Sequence, residues 1–294
     1  KRIDFVVDEF HGVPFFTPLY VKKPKIAVIQ EIARKVWFLN PLPRPMNWII
    51  GIIGFLGEPF IFFFYRSTPF MTGSQSAKVD VNKFGVTSKR IEVVPHGLII
   101  YRANKKIEKE KVKTIIFLGI LSKDKGIEDA VKCFSILEKK SRFNFWVVGR
   151  SETDKYHERI KFLIKKLGLE DKIKFWGFIS QDKKFELLSR AHILVNPSIH
   201  EGWGLVNIEA NAFGAPVVAY KNPGLIDSVK DGISGILCSE NNPENLAKNI
   251  LDLLSNKERY EKMKKNAKVW SKNFNWQRSK KLSLKLIERI MNER

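Results

Sequence analysis

Short apolar runs, each closed by glycine, proline or a polar turn, alternate along this chain with longer stretches of helical period. Runs at residues 3–7, 25–30, 69–74 and 91–94 predict strands in the first third, with a helix from 75 to about 84. A second series at 114–118, 144–149, 172–178, 193–195, 216–219 and 235–238 predicts six more strands. Helices are expected after Gly126 to about Lys139, at 180–191 and at 205–213. Two amphipathic helices follow at 243–255 and 257–271, and Phe274-Asn275-Trp276 introduces a last one. Continuous apolar strands alternating with helices are the signature of parallel sheets, so the predicted class is α/β. At 294 residues the chain has room for two such domains.

One stretch breaks the rhythm. Residues 46–65 are almost wholly apolar and long enough for a membrane span. Glu58-Pro59 opposes a span, because a charge is costly in hydrocarbon and proline interrupts a helix. Gly51, Gly54 and Gly57 fall three apart, as close helix packing requires. Three readings stand: a buried helix pair broken near Pro59, an interfacial helix flanked by Arg44, Arg66, Trp37 and Trp48, or a true span.

The chemistry concentrates in residues 193–220. A buried strand ends at Pro197-Ser198, Gly202-Trp203-Gly204 makes a tight turn, a helix follows, and Gly214 stops it before the next strand. Ligands bind at such carboxyl ends of parallel strands. The amides of Gly202, Trp203, Gly204, Leu205 and Val206, at a helix start, suit an anion such as phosphate. Glu201 and Glu209 stand eight positions apart, so two carboxylates can accept hydrogen bonds from sugar hydroxyls at separate places along one ligand. The simpler alternative is a helix with one acid near its start and another on its wet face.

This segment resembles the E-x7-E signature of the retaining, nucleotide-sugar-dependent glycosyltransferases of family 4, and the likeness extends over most of the chain. The resemblance implies a GT-B fold of two Rossmann-like domains, with the opening β-α units of the first domain missing from this chain. It places a partial acceptor-side domain at 1–101, a lysine-rich linker at 102–113, a nucleotide-sugar domain at 114–272, and a final helix at 273–294 that returns to the first domain. It implies a hexose moved from a nucleoside diphosphate to a hydroxyl acceptor with retention, and neither cofactor nor metal. Glu209 would hold the ribose, Glu201 the transferred sugar, and Lys125 the leaving diphosphate, with Gly119, Gly149 and Phe178 lining the nucleotide cleft. Two positions depart from the pattern. Gln30 stands where relatives carry histidine, and Ile120 where they carry arginine, leaving phosphate contacts to Lys125, amides and Lys123. His96 before Gly97 reads as a turn residue of left-handed geometry rather than a base. The rival reading is a non-catalytic relative that kept the fold as a binding or scaffold subunit.

Composition refines the partners. A net charge of +21 fits an anionic membrane surface or a lysine-rich solvated surface; zinc-finger spacing, RNP aromatics and a basic-region helix are all missing, so nucleic acid is not expected. Cys133 and Cys238 have neither metal nor redox spacing, which suits a reducing cytoplasm. The expectation is a cytoplasmic enzyme, peripheral at the inner face of the membrane, whose acceptor is a lipid-linked glycan or envelope polysaccharide.

Overall fold

The computed structural model describes residues 3–9, 12–99 and 107–293. The start of the chain at Lys1-Arg2, the loop pair Phe10-His11 and residues 100–106, which include the first part of the lysine-rich stretch expected as a linker, lie outside the described residues. Contacts divide the chain into two units. One comprises Lys1–Leu98, Glu201–Trp203 and Phe274–Arg294; the other comprises Ile99–His200 and Gly204–Asn273.

The first unit is built on four parallel strands in sequential order: β1 (Val6–Glu9), β2 (Lys25–Val28), β3 (Phe70–Thr72) and β4 (Ile91–Val93). Alternation along β2 explains its two covered faces. Ala27 packs with Ile29, Phe62, Phe70 and Ile91 on one side. Ile26 and Val28 meet Leu286 and Ile290 on the other. Helix α1 (Met46–Tyr65) and α2 (Gln75–Lys83) follow β2 and β3 in turn. Buried Asp8 ties β1 to its surroundings, accepting from Thr17 Oγ1 (2.6 Å) and from the Tyr65 hydroxyl.

The residues 46–65 do not form a helix pair. They make one continuous helix that runs through Pro59, with much of its surface exposed. Proline lacks one N–H, but packing holds the turns on either side. Among the described residues its glycines approach no second α-helix. Gly51 and Gly54 admit the rings of Phe38 and Trp37 from a 3-10 segment, Arg34–Leu39, while Gly57 faces open space.

The second unit holds six parallel strands: β5 (Lys113–Leu118), β6 (Phe143–Val148), β7 (Ile173–Gly177), β8 (Ile193–Asn196), β9 (Val217–Ala219) and β10 (Gly235–Leu237). Their order is β10-β9-β8-β5-β6-β7. The chain winds outward from β5 to β7, then returns to lay β8 on β5's other side, with Ile115 opposite Ile193. That reversal opens a crevice at the carboxyl ends of β5 and β8. The connections are α3 (Ile127–Glu138), α4 (Asp154–Lys166), α5 (Gln181–Arg190), α6 (Leu205–Ala212) and a short α7 (Leu225–Ser228), which no periodicity predicts. Then come α8 (Pro243–Ser255) and α9 (Lys257–Ser271). The last helix, α10 (Trp276–Asn292), belongs to the first unit and carries Leu286 and Ile290. Cys133 and Cys238 are buried and unpaired.

Candidate functional site

Two loops of the second unit meet at the reversal point. The one after β5 carries Gly119, Ile120 and Lys125; the one after β8 carries Pro197 and Ser198. The Ile199 N–H donates to the Asp124 carbonyl (2.7 Å), binding them together. Gly126 caps α3 at φ 72°, and a Cβ there would run into the Pro197 carbonyl, so only glycine lets the loops close. Gly204 caps α6 at φ 76°, where a side chain would press on Asn207 and Ser228.

Neither α3 nor α6 has a side-chain cap, nor do α1 and the short α7, whereas Ser74, Thr153, Ser180, Asn242, Asn256 and Asn275 each cap a helix of their own. An uncapped start leaves amides free to meet an anion, and the helix dipole favours one. The acids in the first turn of α3 are engaged elsewhere: Glu128 with Arg159 and Tyr156, Asp129 with Lys132 and Tyr220.

A buried polar chain supports the α6 start. Asn196 Nδ2 donates to Asn207 Oδ1 (2.8 Å), Asn207 Nδ2 to Ser228 Oγ (2.9 Å), and Ser228 Oγ to the Gly224 carbonyl (3.0 Å). Each member satisfies the next, so the turn is held in a single arrangement.

Glu209 is not on a wet face. It is 5% exposed, and Oε1 lies 2.6 Å from the Lys184 ammonium on α5. Lys125 is half-buried, 3.7 Å from Asp124. Gly119 and Gly149 end β5 and β6, while Phe178, just beyond β7, is 86% exposed. Ile120 is exposed at the position of the expected arginine. The second unit thus brings Gly119, Lys125 and the Gly204-Leu205-Val206 turn to the carboxyl edge of one sheet, with Glu209 on the helix that follows.

Glu201, Gly202 and Trp203 group with the first unit. Gly202 lies against the Gln30 backbone, where a Cβ would sit 2.9 Å from the carbonyl oxygen. Trp203 is buried against Phe274 (ring centroids 4.8 Å) and near His96 (6.0 Å). His96 does not take left-handed geometry. Its Nε2 stands 2.9 Å from Gln30 Oε1, and burial lowers its pKa while Glu9 opposes the shift. The turn expectation failed because a partner 66 positions away, invisible to local pattern, fixes the ring. Lys184, Asn207 and Ser228 also escaped sequence reasoning. Among the described residues, no group of three His, Cys, Asp or Glu side chains is placed to hold a metal ion.

Residues 101–270 match the family model described as Glycosyl transferases group 1. An uncharacterized glycosyltransferase of Methanocaldococcus jannaschii, MJ1178, is 31% identical over 163 residues, covering 55% of this chain and 44% of that protein. The chain spans about half the length of the curated relatives it matches. A solved glycosyltransferase from Rickettsia africae superposes with a TM-score of 0.78 at 18% identity, covering 99% of this chain and 78% of the other. Anabaena HepE, solved in complex with UDP and glucose, gives a TM-score of 0.68 at 18% identity, with coverage of 92% and 72%. The fold is therefore GT-B, with a four-stranded Rossmann-like first unit, and the chain belongs to the group 1 glycosyltransferases.

Proposed function

We propose that this protein is a retaining glycosyltransferase of family 4 that moves a hexose from a nucleoside-diphosphate sugar to a hydroxyl acceptor. The observation that carries this reading is the pair of uncapped helix starts, α3 and α6, whose approach loops are hydrogen-bonded together above the sheet reversal. A diphosphate seated there meets amide dipoles and the Lys125 ammonium as charge develops on the leaving group. Glu209 accepts the ribose hydroxyls, and Glu201 those of the transferred sugar. Gly119, Gly149 and Phe178 line the nucleotide cleft. The acceptor oxygen bonds to the anomeric carbon on the face the phosphate leaves, and the acceptor proton passes to the departing phosphate. HepE binding UDP and glucose supports the donor class.

Lys125 and the helix amides supply the positive charge, so the reaction is expected to run without a resident metal; a chelator should leave turnover unchanged. An apolar helix and a basic chain support a lipid-linked glycan or envelope polysaccharide as acceptor and a cytoplasmic enzyme peripheral to the membrane.

Calorimetry with UDP and GDP tests the site. Glu209→Ala is expected to weaken binding at least about tenfold, the loss of roughly 1–3 kcal/mol of charged hydrogen bonding. Unchanged affinity removes the ribose role. One observation favours the scaffold alternative: exposed Ile120 stands where relatives place a phosphate-gripping arginine. Nucleotide binding without any turnover across a panel of nucleotide sugars and acceptors would decide for it.

A further inference from the structure

Helix α1 presents an unusual surface. At 100° per residue, its inward stripe (Asn47, Ile50, Gly51, Gly54, Glu58, Ile61, Phe62 and Tyr65 by position) occupies a little under half the circumference. The other half carries no polar side chain from end to end. Trp48, Ile53, Leu56, Phe60 and Phe63 lie on it, with Ile53 65% and Phe60 71% exposed, and every other outward position is apolar too. A helix on a water-facing surface ordinarily alternates an apolar stripe with a charged face. At about 200 Å² per large side chain, the exposed fractions sum to on the order of 1,000 Å², above the roughly 300–600 Å² of the largest patch on an ordinary monomer.

The patch continues beyond the helix. Phe16 packs edge-on to Phe64 (6.1 Å), bringing exposed Phe15, Leu19 and Tyr20 to the same end. Its rim is cationic. Arg44 precedes the helix, Arg66 follows it with its guanidinium 4.9 Å over the Phe63 ring, and exposed Lys22 and Lys23 follow Tyr20. Between Glu31 and Asp80 the only acid in the chain is Glu58. That carboxylate is buried and accepts from the Arg34 N–H (3.1 Å), so it contributes no negative charge to the outward face.

We infer that this half-cylinder is a docking surface for an anionic lipid bilayer, lying in the interface with its outward side chains among the acyl chains and the rim cations at the headgroups. The helix is long and apolar enough to cross a membrane, but a crossing helix must offer its whole circumference to lipid or to other spans. Here one half is committed to the first unit through Gly51 on Phe38, Gly54 on Trp37 and the Glu58–Arg34 bond. An interfacial helix buries one face by about 5–10 Å, which matches a half-cylinder about 30 Å long. A second copy is the poorer occupant. A two-fold pairing of α1 sets Arg44 against the other copy's Arg66 if the helices run antiparallel, or each arginine against its own counterpart if they run parallel, and Glu58, the only acid between, is buried. Anionic headgroups match those cations.

This surface is independent of the sugar-donor reading, and the experiment keeps the two apart. The protein is sedimented with vesicles of phosphatidylcholine alone and with phosphatidylglycerol added. Compared are the unaltered chain, Ile53→Asp/Phe60→Asp, and the control Val269→Asp, which changes an exposed apolar residue in the second unit. The unaltered chain and the control are expected to pellet with the anionic vesicles, less so in high salt, and the double variant to bind at least tenfold more weakly. UDP affinity should be equal in all three. Brominated acyl chains should quench a fluorescence component lost in Trp48→Phe. Recovery in the supernatant with and without lipid overturns the inference, as does undiminished binding by the double variant. So does a concentration-dependent dimer without lipid binding that the double variant abolishes.

Discussion

The removal of the Glu209–Lys184 ion pair bears on both stability and chemistry. The lysine is itself largely covered, with 16% of its side chain exposed, so neither charge is fully solvated when alone. Lys184→Met strands a buried carboxylate and is expected to cost about 1–3 kcal/mol, read from urea unfolding. Adding Glu209→Gln should recover part of that loss, giving a coupling of about 1 kcal/mol or more in the double-mutant cycle. Additive losses would mean the 2.6 Å contact carries no energy. Glu58 behaves in the opposite sense. Burial raises its pKa, with hydrogen bonds working against the shift, so the folded state keeps this proton to higher pH than the unfolded chain does. Stability from this group is present below the ordinary value of 4.5 and falls as pH rises toward the raised one. Glu58→Gln, which can still accept from the Arg34 amide, should flatten that fall and equal or exceed the original stability at neutral pH. A less stable variant at pH 7 would show that the charge is needed there. The acidic pair at 201 and 209 was legible because its spacing and glycines are local. Lys184 and Ser228 were not, since each reaches its partner across more than twenty positions.

At the scale of elements, legibility followed burial. Strands β5, β6, β8 and β9 read directly from the chain because parallel strands covered on both faces are continuous apolar runs. Helices α8 and α9 read equally well, with one apolar stripe each. Helix α1 misled because proline and glycine carry their usual meaning only when the backbone has no other support. Pro59 sits inside a helix held along its length, and the glycine spacing serves rings from a 3-10 segment instead of a partner helix. The glycines therefore separate by what faces them. At Gly57 nothing lies within 4 Å of a built Cβ and the residue is helical, so Gly57→Ala should stabilise by about 0.5–1 kcal/mol in thermal unfolding. Gly126→Ala meets both a left-handed φ of 72° and the Pro197 carbonyl. It is expected to destabilise by at least about 2 kcal/mol and to weaken nucleotide binding by parting the two loops. Equal effects at the two positions would contradict the packing described.

Over the whole molecule, the basic balance was plain in the composition, but its consequence depends on where individual cations are held. Likewise two α/β units were legible, while the grouping of Glu201–Trp203 with the first was not, because contacts with Gln30, His96 and Phe274 have no local signature. In the second unit partly buried His192 and Lys109 lie close to each other and in the field of Lys264. His192 Nδ1 accepts the Thr114 N–H (3.1 Å), which requires that nitrogen to be unprotonated. Burial, then Lys109, Lys264 and Lys113, bring its pKa from 6.5 down to about 4. Lys109 donates to the Ala191 carbonyl (2.6 Å), and burial with Lys264 and Lys268 brings it from 10.5 down to about 7. Both groups bind fewer protons in the folded state, so stability rises with pH wherever the unfolded chain alone is protonated. For His192 that window runs from about 4 to 6.5, and for Lys109 from about 7 to 10.5. After discounting for partial solvent access, the His192 limb amounts to on the order of 2 kcal/mol. Protection factors of amides in β5 and β8, with the base-catalysed rise of intrinsic exchange divided out, should therefore increase between pH 4.5 and 6.5, and β5 opening should become harder again toward pH 9. His192→Asn, which keeps an acceptor for Thr114, is expected to erase the lower limb, and Lys109→Met the upper one. If the lower slope survives His192→Asn, acid sensitivity belongs to the carboxylates instead, and the pair beside β5 is electrostatically silent.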